Sequence, residues 1–497
     1  MRVKTLQILW HDKQPIFSVD FEPNGNGRFA TAGGDYNVRI WNLQKEENEP
    51  PVVQFVSSLN RHTEAVNCVR WSPKGGILAS GGDDGTIFLW QKAENRDGVT
   101  FDEEDGTLET WRIAQVLRGA TAEIYDLAWS PDAAYIISAC INNTAQIFSV
   151  SEQKCIQVLT DHGHFVQGVA WDPLGQYLAT QSSDRSVNTY ICEKKKSTML
   201  AKLTGRLTKL AFAKEESQEQ SVQSDNKGAA GDTADNSKPD GTSAPNKAIA
   251  KNFRLFHDET LTSFFRRLTY TPDGSLLLAP AGVHKSAVKA TESRNSVYVY
   301  GRGKAPQPLA YLPGHGKPSI AIRCSPVPYK LRKSQSPGKP PSAPSLFALE
   351  HRYIFAVGCQ DALLIYDTQQ REPIAYLSGL HYATLTDLAW SPDGCTLLIT
   401  STDGFCSVIS FEKGELGETI EAPHKAAIDP SIGTPPASPT ARTLTAIDTS
   451  TATLRMPLAA QPDIPVASKH SREDPARTDS GAPESKKRRI APIFLGN

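Results

Sequence analysis

The stretch Val69-Arg70-Trp71-Ser72-Pro73-Lys74-Gly75 decides the fold, because the chain repeats it. Leu127-Ala128-Trp129-Ser130-Pro131-Asp132 and Leu388-Ala389-Trp390-Ser391-Pro392-Asp393-Gly394 align with it without forcing, and Val169-Ala170-Trp171-Asp172-Pro173-Leu174-Gly175 and Leu268-Thr269-Tyr270-Thr271-Pro272-Asp273-Gly274 keep its outline. Each copy is a short alternating run closed by turn-forming residues, which reads as a strand entering a hairpin. A second strand follows in most copies, as in Ile77-Leu78-Ala79-Ser80 and Tyr177-Leu178-Ala179-Thr180. An Asp-bearing turn and a third strand with a terminal aromatic complete the unit, as in Asp84-Gly85-Thr86-Ile87-Phe88-Leu89-Trp90.

Spacing narrows the reading. From His62 to Asp84, from His162 to Asp184 and from His381 to Asp403 the interval is 22 residues each time. This pattern resembles the WD-repeat family, whose units are the blades of a β-propeller. The resemblance implies a hydrogen-bonded set inside each blade: His11, Thr31, Asp35 and Trp41 in blade one, His62, Ser80, Asp84 and Trp90 in blade two, and His162, Thr180 and Asp184 in blade four. Such a set pairs polar groups that would each cost about 1–3 kcal/mol if buried alone. Blade three offers Ala120, Ser138, Asn142 and Phe148 instead, and blade seven has Ile399 in the Ser/Thr place, so these copies are expected to rely on apolar packing.

The fold expected is therefore all-β, a seven-bladed WD-repeat propeller over residues 1–411, with blades starting near His11, His62, Ala120, His162, Leu261, His315 and His381. The last copy ends at its third strand, Phe405 to Phe411, while the alternating stretch Arg2 to Leu9 has no blade of its own. That stretch is expected to supply the missing outer strand and close the ring, which removes exposed sheet edges. Disordered insertions are expected at about 193–250 and at 327–350, and an acidic run, Asp102-Glu103-Glu104-Asp105, lies between blades two and three. Residues 412–497 read as a disordered Pro/Ser/Thr/Ala-rich tail that ends in a basic peptide motif at 486–495.

Composition excludes several classes. With 53 Lys+Arg against 54 Asp+Glu in 497 residues there is no global basic field, which argues against a protein that works chiefly by gripping a nucleic-acid backbone. No direct sequence-specific nucleic-acid binding is expected. The eight cysteines are at least eleven residues apart, so no zinc or dithiol pair forms, and they read as buried thiols of a reducing compartment. No window approaches the ~18 apolar residues of a membrane span. Walker-type loops, H-E-x-x-H pairs and G-x-S-x-G elbows are absent from the sequence, and His162 with His164 lacks a third ligand at metal spacing. Neither catalysis, metal nor cofactor is assigned.

Further stretches resemble one particular family. Phe256-His257-Asp258-Glu259, Ser263-Phe264-Phe265-Arg266-Arg267-Leu268 and the opening His11-Asp12-Lys13-Gln14-Pro15-Ile16-Phe17-Ser18-Val19-Asp20-Phe21 are similar to the WD-repeat middle subunits of chromatin assembly factor one. Arg488-Arg489-Ile490-Ala491-Pro492 resembles the motif with which those proteins bind the anti-silencing histone chaperone. The resemblance implies a nuclear, non-catalytic scaffold that joins the large and small subunits of the factor and serves deposition of histones three and four. Arg488, Arg489, Ile490 and Pro492 are the expected chaperone contacts, and Lys486, Lys487, Arg488 and Arg489 form a candidate nuclear import signal. The competing readings are the related histone regulator of the replication-independent pathway, which is about twice as long, and a generic adaptor such as a ubiquitin-ligase substrate receptor. Phe264, Phe265, Arg266 and Arg267 are a candidate partner surface, or else a strand that buries alternate members.

Overall fold

A computed structural model describes residues 1–44, 51–93, 107–119, 122–195, 198–211, 252–285, 292–303, 307–332 and 345–420. The acidic run at 102–105, the interiors of both insertions and the whole basic motif lie outside these residues. The described chain forms seven four-stranded antiparallel sheets and one two-stranded ribbon, with no helix among the described residues. Six sheets are built from consecutive strands. The seventh adds Arg2–Leu6 to the strand Cys406–Ser410, in a register running from Arg2 opposite Ser410 to Leu6 opposite Cys406.

The repeated turn works through its own side chains. Ser130 Oγ donates to Asp132 at 2.6 Å and accepts the Tyr135 amide at 2.9 Å, which closes the Ser-Pro-Asp corner locally. Thr271 with Asp273 and Ser391 with Asp393 repeat the device. The residue that completes the corner has positive φ: Gly175 at +76°, Gly274 at +73° and Gly394 at +67°. Ala133 takes the same conformation at +56° in blade three, a strained choice for a residue with a Cβ.

Two blades hide their copy of this phrase. Val19-Asp20-Phe21-Glu22-Pro23 and Ile322-Arg323-Cys324-Ser325-Pro326 occupy the same place at the ends of the inner strands Ile16–Phe21 and Ser319–Cys324. Six inner strands share one register slip, between Ile16/Ser18, Val66/Cys68, Ile124/Asp126, Val166/Gly168, Ser319/Ala321 and Leu385/Asp387. A bulge of this kind sharpens twist and re-aims side chains. Repeated round the ring, it turns the following residue of each inner strand toward the axis.

The core is correspondingly divided into seven clusters wedged between neighbouring blades. One joins Ala30, Ile40 and Val56 of the first blade to Val66, Val69, Trp71 and Trp90 of the second.

The observed boundaries differ from those read in the sequence. Thr198–Leu207 is the outer strand of blade four, paired with Ser186–Lys195, so this stretch belongs to the blade and not to an insertion starting at 193. Polar residues in Thr198–Leu207 hid it, since an outer strand faces solvent on one side. The 327–350 insertion begins with buried Tyr329, which bridges both Arg352 and Thr419. Residues 412–420 therefore continue the ordered chain past 411, laid against blade six. Blade five is led in from His257 rather than Leu261, with His257 Nε2 2.9 Å from Asn295.

Candidate functional site: the central channel

In blade one, Trp41 Nε1 donates to Thr31 Oγ1 at 2.8 Å, Thr31 donates to His11 Nε2 at 2.8 Å, and His11 Nδ1 lies 2.6 Å from Asp35. Burial lowers the His11 pKa despite Asp35, so the ring is neutral and its proton sits on Nδ1. Blade two has Trp90, Ser80, His62 and Asp84 in the same chain of contacts. In blade four His162 reaches Thr180 at 2.7 Å and Asp184 at 3.1 Å. Blade seven corrects the expectation of apolar packing alone: His381 binds Asp403, and its Nε2 takes Ser407 of the third strand at 2.9 Å where Ile399 offers nothing. These sets fix the loops on one face of the ring.

The channel is built from two columns of the inner strands. The residue after each of the six bulges gives Ser18, Cys68, Asp126, Gly168, Ala321 and Asp387, and Arg267, two residues before the short inner strand Thr269–Tyr270 of blade five, takes the seventh place. Two residues further on stand Asp20, Arg70, Ala128, Ala170, Thr269, Arg323 and Ala389. Three arginines and three aspartates thus face one another among small residues.

Their contacts cross the ring. Arg267, fully buried, donates to Asp126 of blade three at 2.8 Å, to the Asn67 carbonyl of blade two at 2.8 Å and to the Phe17 carbonyl of blade one at 3.1 Å. Arg70 binds Asp126 at 3.1 Å and Asp387 at 2.8 Å, and Arg323 reaches Asp387 at 3.3 Å. Burial alone would push Asp387 up, yet Arg267, Arg70 and Arg323 together hold its carboxyl well below the usual range. Asp20 behaves oppositely: burial outweighs Arg70 and raises it to about 6.

This corrects the candidate surface at 264–267. Phe265, Arg266 and Arg267 are all buried, and only Phe264 is exposed. Alternation fails because the segment leaves its own blade. The Arg266 amide binds the Gln167 carbonyl of blade four, while Arg267 pairs with Ile320 and Ile322 of blade six. Gly168 is required beneath it, since a Cβ there would stand 1.9 Å from the Arg266 carbonyl oxygen. Arg266 caps the carbonyls of His257 and Asp258. Phe265 packs on Phe17 and under the Arg267 guanidinium at 4.2 Å, which plugs the channel on the His–Asp face. The opposite mouth stays open as a cavity of about 320 Å³ lined by Asp20, Arg70 and Arg323.

Asp126 and Asp387 are tied to arginines, and burial pushes the Cys68 and Cys140 thiols up to about 11. All eight cysteines are free, but four are only half-buried, fewer buried thiols than the sequence suggested. Among the described residues no group of His, Cys, Asp and Glu could hold a metal ion, and no helix is long and apolar enough to cross a membrane.

The elevated Asp20 makes a stability prediction. A carboxyl whose folded value lies above its unfolded one favours folding at low pH, and that contribution is lost as pH rises through the folded value, here about 6. Asp20→Asn is expected to match or exceed the parent in urea stability at pH 7.5, with the difference shrinking at pH 5. A variant less stable at pH 7.5 would show that the ionised Asp20 is worth its burial.

Fold and site together define the class: a closed seven-bladed propeller whose axis is stapled by buried arginine–aspartate pairs. Comparison with known proteins makes this particular. A family described as the CAF1B/HIR1 beta-propeller domain matches residues 1–227 and 229–416. The chain is 38% identical to the B subunit of chromatin assembly factor 1 of Gallus gallus over 94% of its own length and 79% of the relative's. It is 37% identical to the protein of the same name from Saccharomyces cerevisiae, over 85% and 89%. Protein HIR1 of Gibberella zeae is 28% identical over 81% of this chain but 34% of its own. The chain belongs to the family formed by the B subunits of chromatin assembly factor 1.

Proposed function

We propose that this chain is the non-catalytic scaffold on which the factor receives its histone cargo. The propeller docks the large subunit, and through it the small one. Arg488, Arg489, Ile490 and Pro492 bind the anti-silencing histone chaperone that brings histones three and four to replicating or repaired DNA. The observation that carries this reading is the joining of Arg488-Arg489-Ile490-Ala491-Pro492 to a propeller of this family on one chain. An extended Arg-Arg-Ile segment suits addition to the edge of a partner's sheet, with isoleucine in a groove and arginines on carboxylates at its rim. Tethering donor and acceptor to one chain makes hand-off effectively intramolecular, raising the local concentration to the millimolar order for a flexible link. Lys486 to Arg489 also serve nuclear import.

Ile490→Asp is expected to reduce chaperone capture by at least ~100-fold in a pull-down with purified proteins, while capture of the large subunit is unchanged. A carboxylate in an apolar groove, facing the rim acids that hold the arginines, accounts for that size. Chaperone binding that survives both Ile490→Asp and removal of 484–497 refutes the motif. Loss of the large subunit in the same variants would place its dock in the tail instead of the propeller.

A further inference from the structure

The open mouth of the channel is a second site, separate from the terminal motif. Its wall is divided. Asp20, Arg70 and Arg323 face it from blades one, two and six, and Ala128, Ala170 and Thr269 leave room on the other side. Its volume of about 320 Å³ lies at the lower end of the range for small-ligand sites.

The four charged side chains of the lining are not equally occupied: Asp172 is buried and held by Arg302 at 2.6 Å. Arg70 donates to Ser18, Asp387, Asp126 and the Val69 carbonyl. Asp20 accepts the Trp71 amide at 2.8 Å. Among the described residues the Arg323 side chain makes one hydrogen bond, from Nη2 to Asp387 at 3.3 Å, and 18% of it is exposed where it lines the cavity. It also stands close enough to Arg70 to be repelled by it. The cavity therefore contains a cation with donors to spare, which a second carboxylate would satisfy.

We infer that this mouth binds an acidic side chain of a partner polypeptide, with the incoming carboxylate held by Arg323 and its aliphatic stem against Ala128 and Ala170. A cationic side chain suits the site less, because of the two acids lining the cavity Asp20 is flanked by Arg70 and Arg323, and Asp172 is buried and held by Arg302 at 2.6 Å. The neighbours of Asp20 are Arg70, Arg323, Asp387 and the Trp71 amide, and its raised value of about 6 adds a signature. A bound carboxylate disfavours ionised Asp20, so binding takes up a proton and strengthens as pH falls from 7.5 toward 6.

The test uses the full chain and two capped peptides, hexaglutamate and hexaglutamine, titrated by calorimetry. Hexaglutamate is expected to bind and hexaglutamine is not. Arg323→Gln should weaken hexaglutamate at least tenfold, and Arg323→Lys should restore part of that loss. Asp20→Asn should tighten binding at pH 7.5 and flatten its pH dependence. Ala170→Leu, which fills the cavity without touching a charge, should block it. Equal binding of the two peptides overturns the inference, and so does hexaglutamate binding that neither Arg323→Gln nor Ala170→Leu alters. Unfolding curves confirm that each variant is folded.

Discussion

Arg267→Ala is expected to cost about 3–5 kcal/mol of folding stability, the range for breaking one partner out of a buried ion cluster. The side chain lies wholly inside and spans the ring, joining blade five to Asp126, Asn67 and Phe17 of three other blades. Its removal leaves two buried carbonyls without their donor. Asp126 keeps Arg70 at 3.1 Å, and Asp387 keeps Arg70 and Arg323, so neither carboxylate is orphaned. Both nonetheless lose a fully buried cation. Urea unfolding of the propeller at pH 7.5 measures the loss. The double variant Arg267→Met with Asp126→Asn should recover part of it, because partners in one cluster do not add. A loss below about 1 kcal/mol would mean that the cluster is incidental to the ring.

Acid should dissolve the same cluster from the other side. Asp387 has a folded value depressed by the three arginines, so its contribution is present above the unfolded value near 3.9 and is lost as pH falls through the folded one. Asp20 runs in the opposite direction. The two aspartates thus pull the stability curve toward a maximum near their shared unfolded value of about 4, with the Asp20 contribution lost between there and about 6.

What the sequence could disclose follows from where each interaction closes. Ser130 to Asp132 and His62 to Asp84 close within one blade, so their spacing is a repeat signal readable along the chain. The channel closes between blades, with separations such as the 141 residues from Asp126 to Arg267, and no window along the sequence contains it. Its signal was present as columns. Once the seven phrases are stacked, Asp20, Arg70 and Arg323 stand out where the other copies have Ala or Thr. Stacking all seven required the degenerate copies Val19-Asp20-Phe21-Glu22-Pro23 and Ile322-Arg323-Cys324-Ser325-Pro326, which lack the Trp-Ser pair that makes the phrase conspicuous. Adjacent burial of Arg266 and Arg267 was illegible for a different reason. Period-2 alternation holds for a residue pair within one sheet, and this pair is shared between blades four and six.

Starting the chain at Gln7 is expected to open the ring. The strand Arg2–Leu6 contributes one buried side chain, Leu6, so its value lies in pairing rather than in apolar area. Five register positions opposite Cys406–Ser410 would be lost, and at about 1 kcal/mol net for each backbone hydrogen bond the direct cost is about 4–5 kcal/mol. A polar chain crosses the same seam: Thr5 Oγ1 lies 2.7 Å from Ser407 Oγ, which continues to His381 and Asp403. Truncation therefore also loosens the loop at the start of blade seven. The exposed edge of Cys406–Ser410 is left free to pair with another molecule, so the truncated chain should aggregate with increasing concentration as well as unfold at lower urea. Thr5→Ala separates the two contributions. It keeps every backbone pair and breaks the hydroxyl chain at one link, so it should cost about 1 kcal/mol and leave the chain monomeric. If the truncated chain instead stays monomeric with an unchanged urea midpoint, closure resides in the packing of Trp10, Phe29 and Trp41 against Leu398 and Val408, which the truncation leaves in place.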